Sequence, residues 1–198
     1  ALPNDADRIA AERAFAKAIQ HDQTRSFPLA IEEFDKALAY WKSVNDRHWT
    51  ALTHYALAQT LRRSRNAKKA EENFLETLKI QLEEPDWRIR AAALNDYGFS
   101  KTGENDNEKA INLLNEALSL FREHEDRRGQ ASSLNNLAIT YGRMGDFRKA
   151  LTLTQEALPL REAENFQSGV NNLLNTIGQI QDRLGSPYEA LENFEKAL

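Results

Sequence analysis

An all-α solenoid of about five helix–turn–helix repeats is the fold this sequence predicts, and three series of residues predict it. Ala30, Ala70, Ala110, Ala150 and Ala190 stand 40 residues apart, as do Leu38, Leu78, Leu118, Leu158 and Leu198. Ala18, Ala58, Gly98, Ala138 and Gly178 form a third series, of small residues only. A fixed period of this size marks an array in which each unit packs on its neighbours. Such arrays present an extended binding face and seldom enclose a catalytic pocket. The register divides the chain into repeats at 11–50, 51–90, 91–130 and 131–170 and a partial fifth at 171–198, without a linker or a catalytic domain.

The fourth repeat shows the elements most clearly. Leu134, Leu137, Ala138 and Tyr141 are spaced three, four and seven apart, which is one face of a helix. Met144-Gly145-Asp146 interrupts that face. Ala150, Leu151, Leu153, Ala157 and Leu158 then repeat the helical spacing. Ser26, Asn66, Asp106, Asp146 and Ser186 open the second helices, and all are residue types whose side chains can accept from a free N–H of the first turn. Ser186-Pro187-Tyr188-Glu189 has the form of a capping box with Pro at the first helical position. Turns are therefore expected near 24–26, 64–66, 103–106, 144–146 and 184–186, with ten helices in five antiparallel pairs.

Packing explains the small residues. Ala or Gly on both helices of a hairpin lets the backbones approach. Phe34, Phe74, Leu114 and Phe194 then fill the space between repeats, and Thr154 breaks that series, so repeat four is expected to pack less well there. Lys17, His21, His54, Lys101 and Gln181 stand where sibling repeats are apolar, and are expected at helix margins, snorkelling to water.

The pattern Leu134, Leu137, Ala138, Tyr141, Ala150, repeated as Leu174, Ile177, Gly178, Ala190 and Phe194, resembles the tetratricopeptide repeat (TPR). The resemblance implies a right-handed superhelix whose first helices line a concave groove that binds proteins or extended peptides. The usual unit has about 34 residues. The six added here are expected in the second helix and its exit loop, as at 79–86 and 119–126. This longer unit is similar to kinesin light chain repeats. It is also similar to the repeat arms of bacterial TPR-CHAT proteins, through the segments Ala30 to Trp41 and Leu134 to Ala138, and those arms are joined to a caspase-like protease domain.

Composition narrows the function. The chain has 26 Lys and Arg against 30 Asp and Glu, a formal charge of −4, with the two signs mixed. That gives no general attraction for nucleic acid or for an anionic membrane. Only 8 Gly and 5 Pro occur, as suits a helical chain. No apolar run approaches the span of a bilayer and no signal peptide is visible. There is no cysteine, which leaves the redox compartment open and places any CHAT-type nucleophile outside these 198 residues. The chain opens at Ala1 without Met and stops at Leu198 inside a second helix, which reads as a piece of a longer array. A cytoplasmic setting is expected, with export left open by the missing N-terminus. Leu191, Phe194 and Leu198 would then offer an apolar face for end-to-end self-association or for a following repeat.

No enzyme is expected. His21, His48, His54 and His124 lack the spacing of metal ligands, and no phosphate loop or nucleophile motif occurs, so no cofactor or metal is implied. Glu104 to Glu108 lacks the Gly and distal Glu of a calcium loop and reads as a turn. The feature that points to binding is a ladder, Asn95, Asn135 and Asn175, at one position of three successive first helices. Asn costs roughly half a kcal/mol against Ala inside a helix. An amide both donates and accepts, so each rung could hold a peptide backbone, or could bond a neighbouring helix and set the repeat geometry. The resemblance to kinesin light chain repeats implies the first role. Gln59, Phe99, Ile139 and Gln179 lie one turn later, Tyr55, Phe99 and Ile139 are expected to supply the side-chain pockets that give selectivity, and Arg143 and Arg183 recur at the position of Arg63 near the groove's edge, where they would attract acidic groups of the peptide. Arg63 belongs to a basic turn with Arg62, Arg65, Lys68 and Lys69 that also reads as a solvated charge run. The expected function is a non-catalytic protein- or peptide-binding module, a regulatory or recruiting arm of a larger bacterial protein. The alternative is a structural spacer that assembles end to end.

Overall fold

A computed structural model describes residues 3–83, 85–163 and 167–198. Ala1, where the sequence opens without Met, and Glu84, inside one expected exit loop, lie outside the described residues. Ten helices and no strand occur among the described residues: α1 (Pro3–Gln23), α2 (Phe27–Ser43), α3 (Arg47–Arg63), α4 (Ala67–Glu83), α5 (Trp87–Gly103), α6 (Asn107–Glu123), α7 (Arg127–Arg143), α8 (Phe147–Glu162), α9 (Gln167–Arg183) and α10 (Pro187–Lys196). They form sequential antiparallel pairs, and every expected turn falls where the capping residues put it. The chain forms two compact units, residues 1–93 and 94–198.

Three-residue turns between helices of seventeen residues account for the period. Helices α2 to α7 and α9 all have that length. The added residues thus lengthen both helices. The exit links at 44–46 and 124–126 are as short as the turns inside the hairpins, which corrects the expectation of a longer exit loop.

The turns are this tight because one residue serves two helices. Asp146 N–H donates back to Tyr141 O at 2.9 Å, closing the preceding helix, while its own carbonyl accepts from Ala150 N–H at 3.0 Å, opening the next. Ser26, Asn66, Asp106 and Ser186 do the same. The residue before each must take a left-handed conformation. Glycine does so at Gly145 and Gly185, but Arg25, Arg65 and Asn105 are held there at φ 58°, 63° and 64°.

Side-chain capping is sparser than the residue types imply. Asp146 accepts from Lys149 N–H at 3.0 Å, and Asn66 accepts from Lys69 N–H at 3.4 Å. Ser26, Asp106 and Ser186 make no such bond. The Ser26 hydroxyl instead accepts from Thr24 Oγ1. Glu189 does not complete a capping box; it accepts from Gln181 Nε2 at 3.4 Å. Nothing in the structure explains the uncapped Asp106. A second capping series opens first helices of the hairpins. Asp46 accepts from Trp49 N–H at 3.1 Å and Asp126 from Gly129 N–H at 3.0 Å, opening α3 and α7.

In the first unit Ala11, Ala14, Ala37 and Trp41 form a core joined by Phe15, Val44 and Trp49. In the second, Leu114, Leu118, Leu134, Leu137 and Leu173 pack with Ala131 and Ala157. The small residues sit at close approaches. A Cβ on Gly98 would lie 2.8 Å from Leu114 Cγ, and one on Gly178 would lie 2.6 Å from Phe194 Cε1. Ala138 and Ala150 are buried together with Ile180. Ala150→Leu and Ala138→Leu are each expected to cost about 1–3 kcal/mol through overpacking, read as a fall in the denaturation midpoint; a wild-type midpoint would remove the close-approach explanation. Thr154 is fully buried, and its hydroxyl donates to Ala150 O at 2.9 Å, so the position is filled and satisfied.

Three polar residues at apolar positions are buried and paired rather than snorkelling. His54 Nδ1–H donates to Asn73 Oδ1 at 2.7 Å, Lys101 Nζ to Glu104 Oε2 at 2.7 Å, and Asn193 Nδ2 to Gln181 Oε1 at 2.9 Å. A neighbour from the partner helix or the adjoining turn supplies each missing polar contact, so the side chain need not reach water. Lys17 is exposed and His21 half-buried.

His54 also predicts a pH dependence. Burial is the main cause that pushes its pKa below the usual histidine value, Lys42 adds to the shift, and the Asn73 bond, Glu76 and Asp35 oppose it. Below about pH 6.5 the unfolded chain takes up a proton that the folded chain resists. Stability is then full above that pH and declines as pH falls toward the folded pKa, with a slope of at most about 1.4 kcal/mol per pH unit. His54→Leu, matching Leu94 and Leu134 in sibling repeats, should flatten this decline in urea titrations between pH 7.5 and 5. An identical slope in both proteins would acquit His54.

Candidate functional site

Helical spacing brings polar residues together on one face of the second unit. Asn95, Asp96 and Phe99 lie within one turn of α5, Ser132, Asn135 and Asn136 within one turn of α7, and Asn172 and Leu173 face them from α9. Together with Ala131, Arg161 and Gly169 they line a cleft of about 330 Å³. Arg161, from the last turn of α8, donates from Nη2 to Ser132 Oγ at 2.9 Å. Four amides, a hydroxyl, one carboxylate and one guanidinium thus share a space with an aromatic ring and a leucine. That mixture can pair with a peptide backbone and seat a side chain. It holds no recognisable nucleophile–base pair, and among the described residues no three His, Asp or Glu side chains are placed to hold a metal.

The rungs of the asparagine ladder differ. Asn95 is buried; its Oδ1 accepts from Ser133 Oγ at 3.0 Å and from Asn136 Nδ2 at 3.1 Å, and its Nδ2 donates to Asp96 Oδ1 at 3.3 Å. It ties α5 to α7, as does the 2.6 Å hydroxyl pair of Thr102 and Thr140. Asn135 is half-buried, lines the cleft, and makes no side-chain hydrogen bond among the described residues. Asn175 is half-buried on α9, away from the cleft lining.

The structure therefore brings together Asn95, Phe99 and Asn135. Ile139 is half-buried further along α7, and Gln179 is exposed on α9; neither lines the cleft. Arg143 and Arg183 are exposed at the last residues of α7 and α9, with no ion pair among the described residues. Their register mate Arg63 instead pairs with Asp22 in the first unit. Tyr55 and Gln59 belong to that unit too, where Gln59 Nε2 donates to the Tyr55 hydroxyl at 2.7 Å.

Asp96, Ser132, Asn136, Asn172 and Arg161 went unpredicted. A signal existed for most of them. Ser132 and Asn172 form one 40-residue series, three residues before the ladder, and Asp96 and Asn136 another, one residue after it. Arg161 stands at the register position of Trp41, Gln81 and Phe121, and that break in the series is its signal.

The tetratricopeptide repeat family pattern matches residues 9–83 and 87–163. No curated protein sequence matches the chain. Among solved structures, BtubC (BKLC) from P. vanneervenii is similar with a TM-score of 0.87 at 21% identity, over 98% of this chain and 81% of that one. Nearly identical TPR-like repeats of kinesin light chain type from Podosopora anserina are similar with a TM-score of 0.79 at 16% identity, over 96% and 93%. A Rap protein solved in complex with Competence and Sporulation Factor is similar with a TM-score of 0.83 at 19% identity; 95% of this chain is covered, but only 53% of the Rap chain. These likenesses concern the fold, and the family pattern extends over most of the sequence: the chain belongs to the tetratricopeptide repeat family.

Proposed function

We propose that this chain binds an extended peptide segment of a protein partner across the first helices of its second unit, as a non-catalytic recruiting or regulatory arm of a larger bacterial protein of the CHAT kind. The observation that carries this is the open, amide-lined cleft spanning α5, α7 and α9. Asn135 offers donor and acceptor to a passing backbone, and Asn175 could serve it one repeat further on. Phe99 and Leu173 provide apolar contact for a side chain. The Rap protein bound to Competence and Sporulation Factor is a relative in fold that takes a ligand. The CHAT attribution rests on the 40-residue repeat and on the segments Ala30 to Trp41 and Leu134 to Ala138, and the absence of cysteine assigns the nucleophile of such a protein to another part of it.

Peptides selected from a random dodecapeptide display library on the immobilised chain test this reading. Asn135→Ala with Asn175→Ala should weaken them by about tenfold or more while leaving the melting temperature unchanged. Asn95→Ala should behave differently, lowering stability by about 1–3 kcal/mol, because Ser133 is fully buried and loses its acceptor. Equal affinity in the double variant would assign the ladder to repeat geometry alone.

The spacer reading has its own support at α10. Tyr188 is 90% and Leu191 56% exposed, and Leu198 is fully exposed, whereas Phe194 folds back onto Gly178. Sedimentation over a hundredfold range of concentration separates the readings, since end-to-end assembly predicts growth in size and peptide capture does not.

A further inference from the structure

Near the end of a second helix, a buried ring works as a wedge between one hairpin and the next. Trp41 of α2 packs with Ala11 of its own hairpin and stacks on Trp49 of the next at 5.2 Å. Phe121 of α6 lies so close over Gly129 of α7 that a Cβ there would be 2.1 Å from the ring. Such rings hold hairpins together at their exit ends, where the chain passes from one repeat to the next. Arg161 of α8 has the same register position, but it is only half-buried, and its Nη2 donates to Ser132 of its own hairpin. Ala131, Arg161 and Gly169, the register mates of Ala11, Trp41 and Trp49, line the cleft. Pro159 weakens the same end of α8, where register mates are Ala39, Lys79 and Ser119. It lacks the N–H that would donate to the Gln155 carbonyl, and its ring bends the helix.

The turn end of the same seam is tightly packed. Ile180, late in α9, is buried with Ala138 of α7 and Ala150 of α8, and Tyr141 and Leu153 pack against them. Leu173, one turn past Gly169, belongs to the core of Leu134 and Leu137. We propose that the α9–α10 hairpin pivots on the α7–α8 hairpin about the packed end at Ile180, so that the end at Gly169 swings and the cleft between α7 and α9 widens and narrows. Interdigitated side chains lose their contacts outright when a gap opens between them, so the packed end resists separation. The end bordered by the cleft has fewer such contacts to lose. Two rigid hairpins joined tightly at one end only move as a hinge. The swing sets the distance between Asn135 on α7 and Asn172 on α9, and with it the thickness of what the cleft admits. The pivot is a property of the chain alone and does not depend on the peptide-binding reading.

The chain has no cysteine, so nitroxide labels can be placed at will. Arg128→Cys with Ser168→Cys labels the exit ends of α7 and α9, and Met144→Cys with Leu184→Cys labels the turns at the packed end; all four positions are exposed register mates. Double electron–electron resonance on each pair should give a broader distance distribution at the exit end than at the turn end. Arg161→Phe with Pro159→Ser puts back the residues of repeat three, Phe121 and Ser119. In that background the exit-end distribution should narrow to the width of the turn-end pair, which should itself stay unchanged. Equal widths at the two ends of the parent chain would overturn the pivot, whether or not the restored variant folds. So would an exit-end breadth that survives the restoration. Narrowing of both pairs alike would show a general stiffening of the array and would also overturn it.

Discussion

Trp41→Ala should lower the free energy of unfolding by about 3–5 kcal/mol, the largest stability effect expected of a single substitution here. The indole is fully buried and stacks on Trp49 with planes 16° apart, while Phe15 meets Trp49 edge-on at 5.5 Å. Ala11, Ala14 and Ala37 pack in the same cluster and are too short to close over a cavity. Loss of the ring also removes an aromatic pair worth about 0.5–1.5 kcal/mol beyond its area. Trp41→Phe should be close to neutral. Trp41 Nε1 is buried with no hydrogen-bond partner among the described residues, so its removal relieves a penalty that offsets the smaller ring. Urea denaturation followed by far-UV circular dichroism reads both variants. An alanine variant within about 1 kcal/mol of wild type would show that this cluster contributes little to the first unit.

Gly129→Leu should cost about 3 kcal/mol, at the upper end for overpacking. The glycine has an ordinary helical backbone, so its reason is space alone. A Cβ would lie 2.1–2.4 Å from three atoms of the Phe121 ring, at the base and flank of a rigid side chain rather than at its tip. Phe121 would have to leave its place beside α7. Gly142→Ala on the same helix is the control: the added Cβ meets only Ala150 Cβ at 3.9 Å, and the variant should gain about 0.5–1 kcal/mol from reduced backbone entropy. If Phe121→Ala rescues Gly129→Leu, the clash is confirmed as the cause; a cost that persists in the double variant would place it elsewhere.

The fold was legible because its signals are local and repeated five times. Helical spacing, small residues at crossings and breaks near Gly145 and Gly185 each follow from short-range geometry, and the period multiplies a weak signal into a strong one. Side-chain capping was less legible. Ser26 and Ser186 are good caps by type, yet neither side chain accepts from the first turn of its helix, and the Ser26 hydroxyl accepts from Thr24 Oγ1 instead. The polar residues His54 and Gln181 are marginal by their own helices because their partners, Asn73 and Asn193, lie in the next helix, where one helical wheel does not reach.

The period, the ten helices, the positions of the turns and the membership of the family were determined by the sequence alone, since each depends on residues within one helical turn or on one spacing. The role of each ladder asparagine was decided only by the tertiary structure. Asn95 and Asn135 are the same residue at the same register position. Asn95 meets Ser133, 38 residues on, and is consumed in holding two helices together. The residue 38 beyond Asn135 is Leu173, which can neither donate nor accept, so the amide of Asn135 remains at the cleft. Which neighbour a side chain meets depends on how successive repeats are staggered, and that stagger is set by packing between helices rather than by the residues within any one of them.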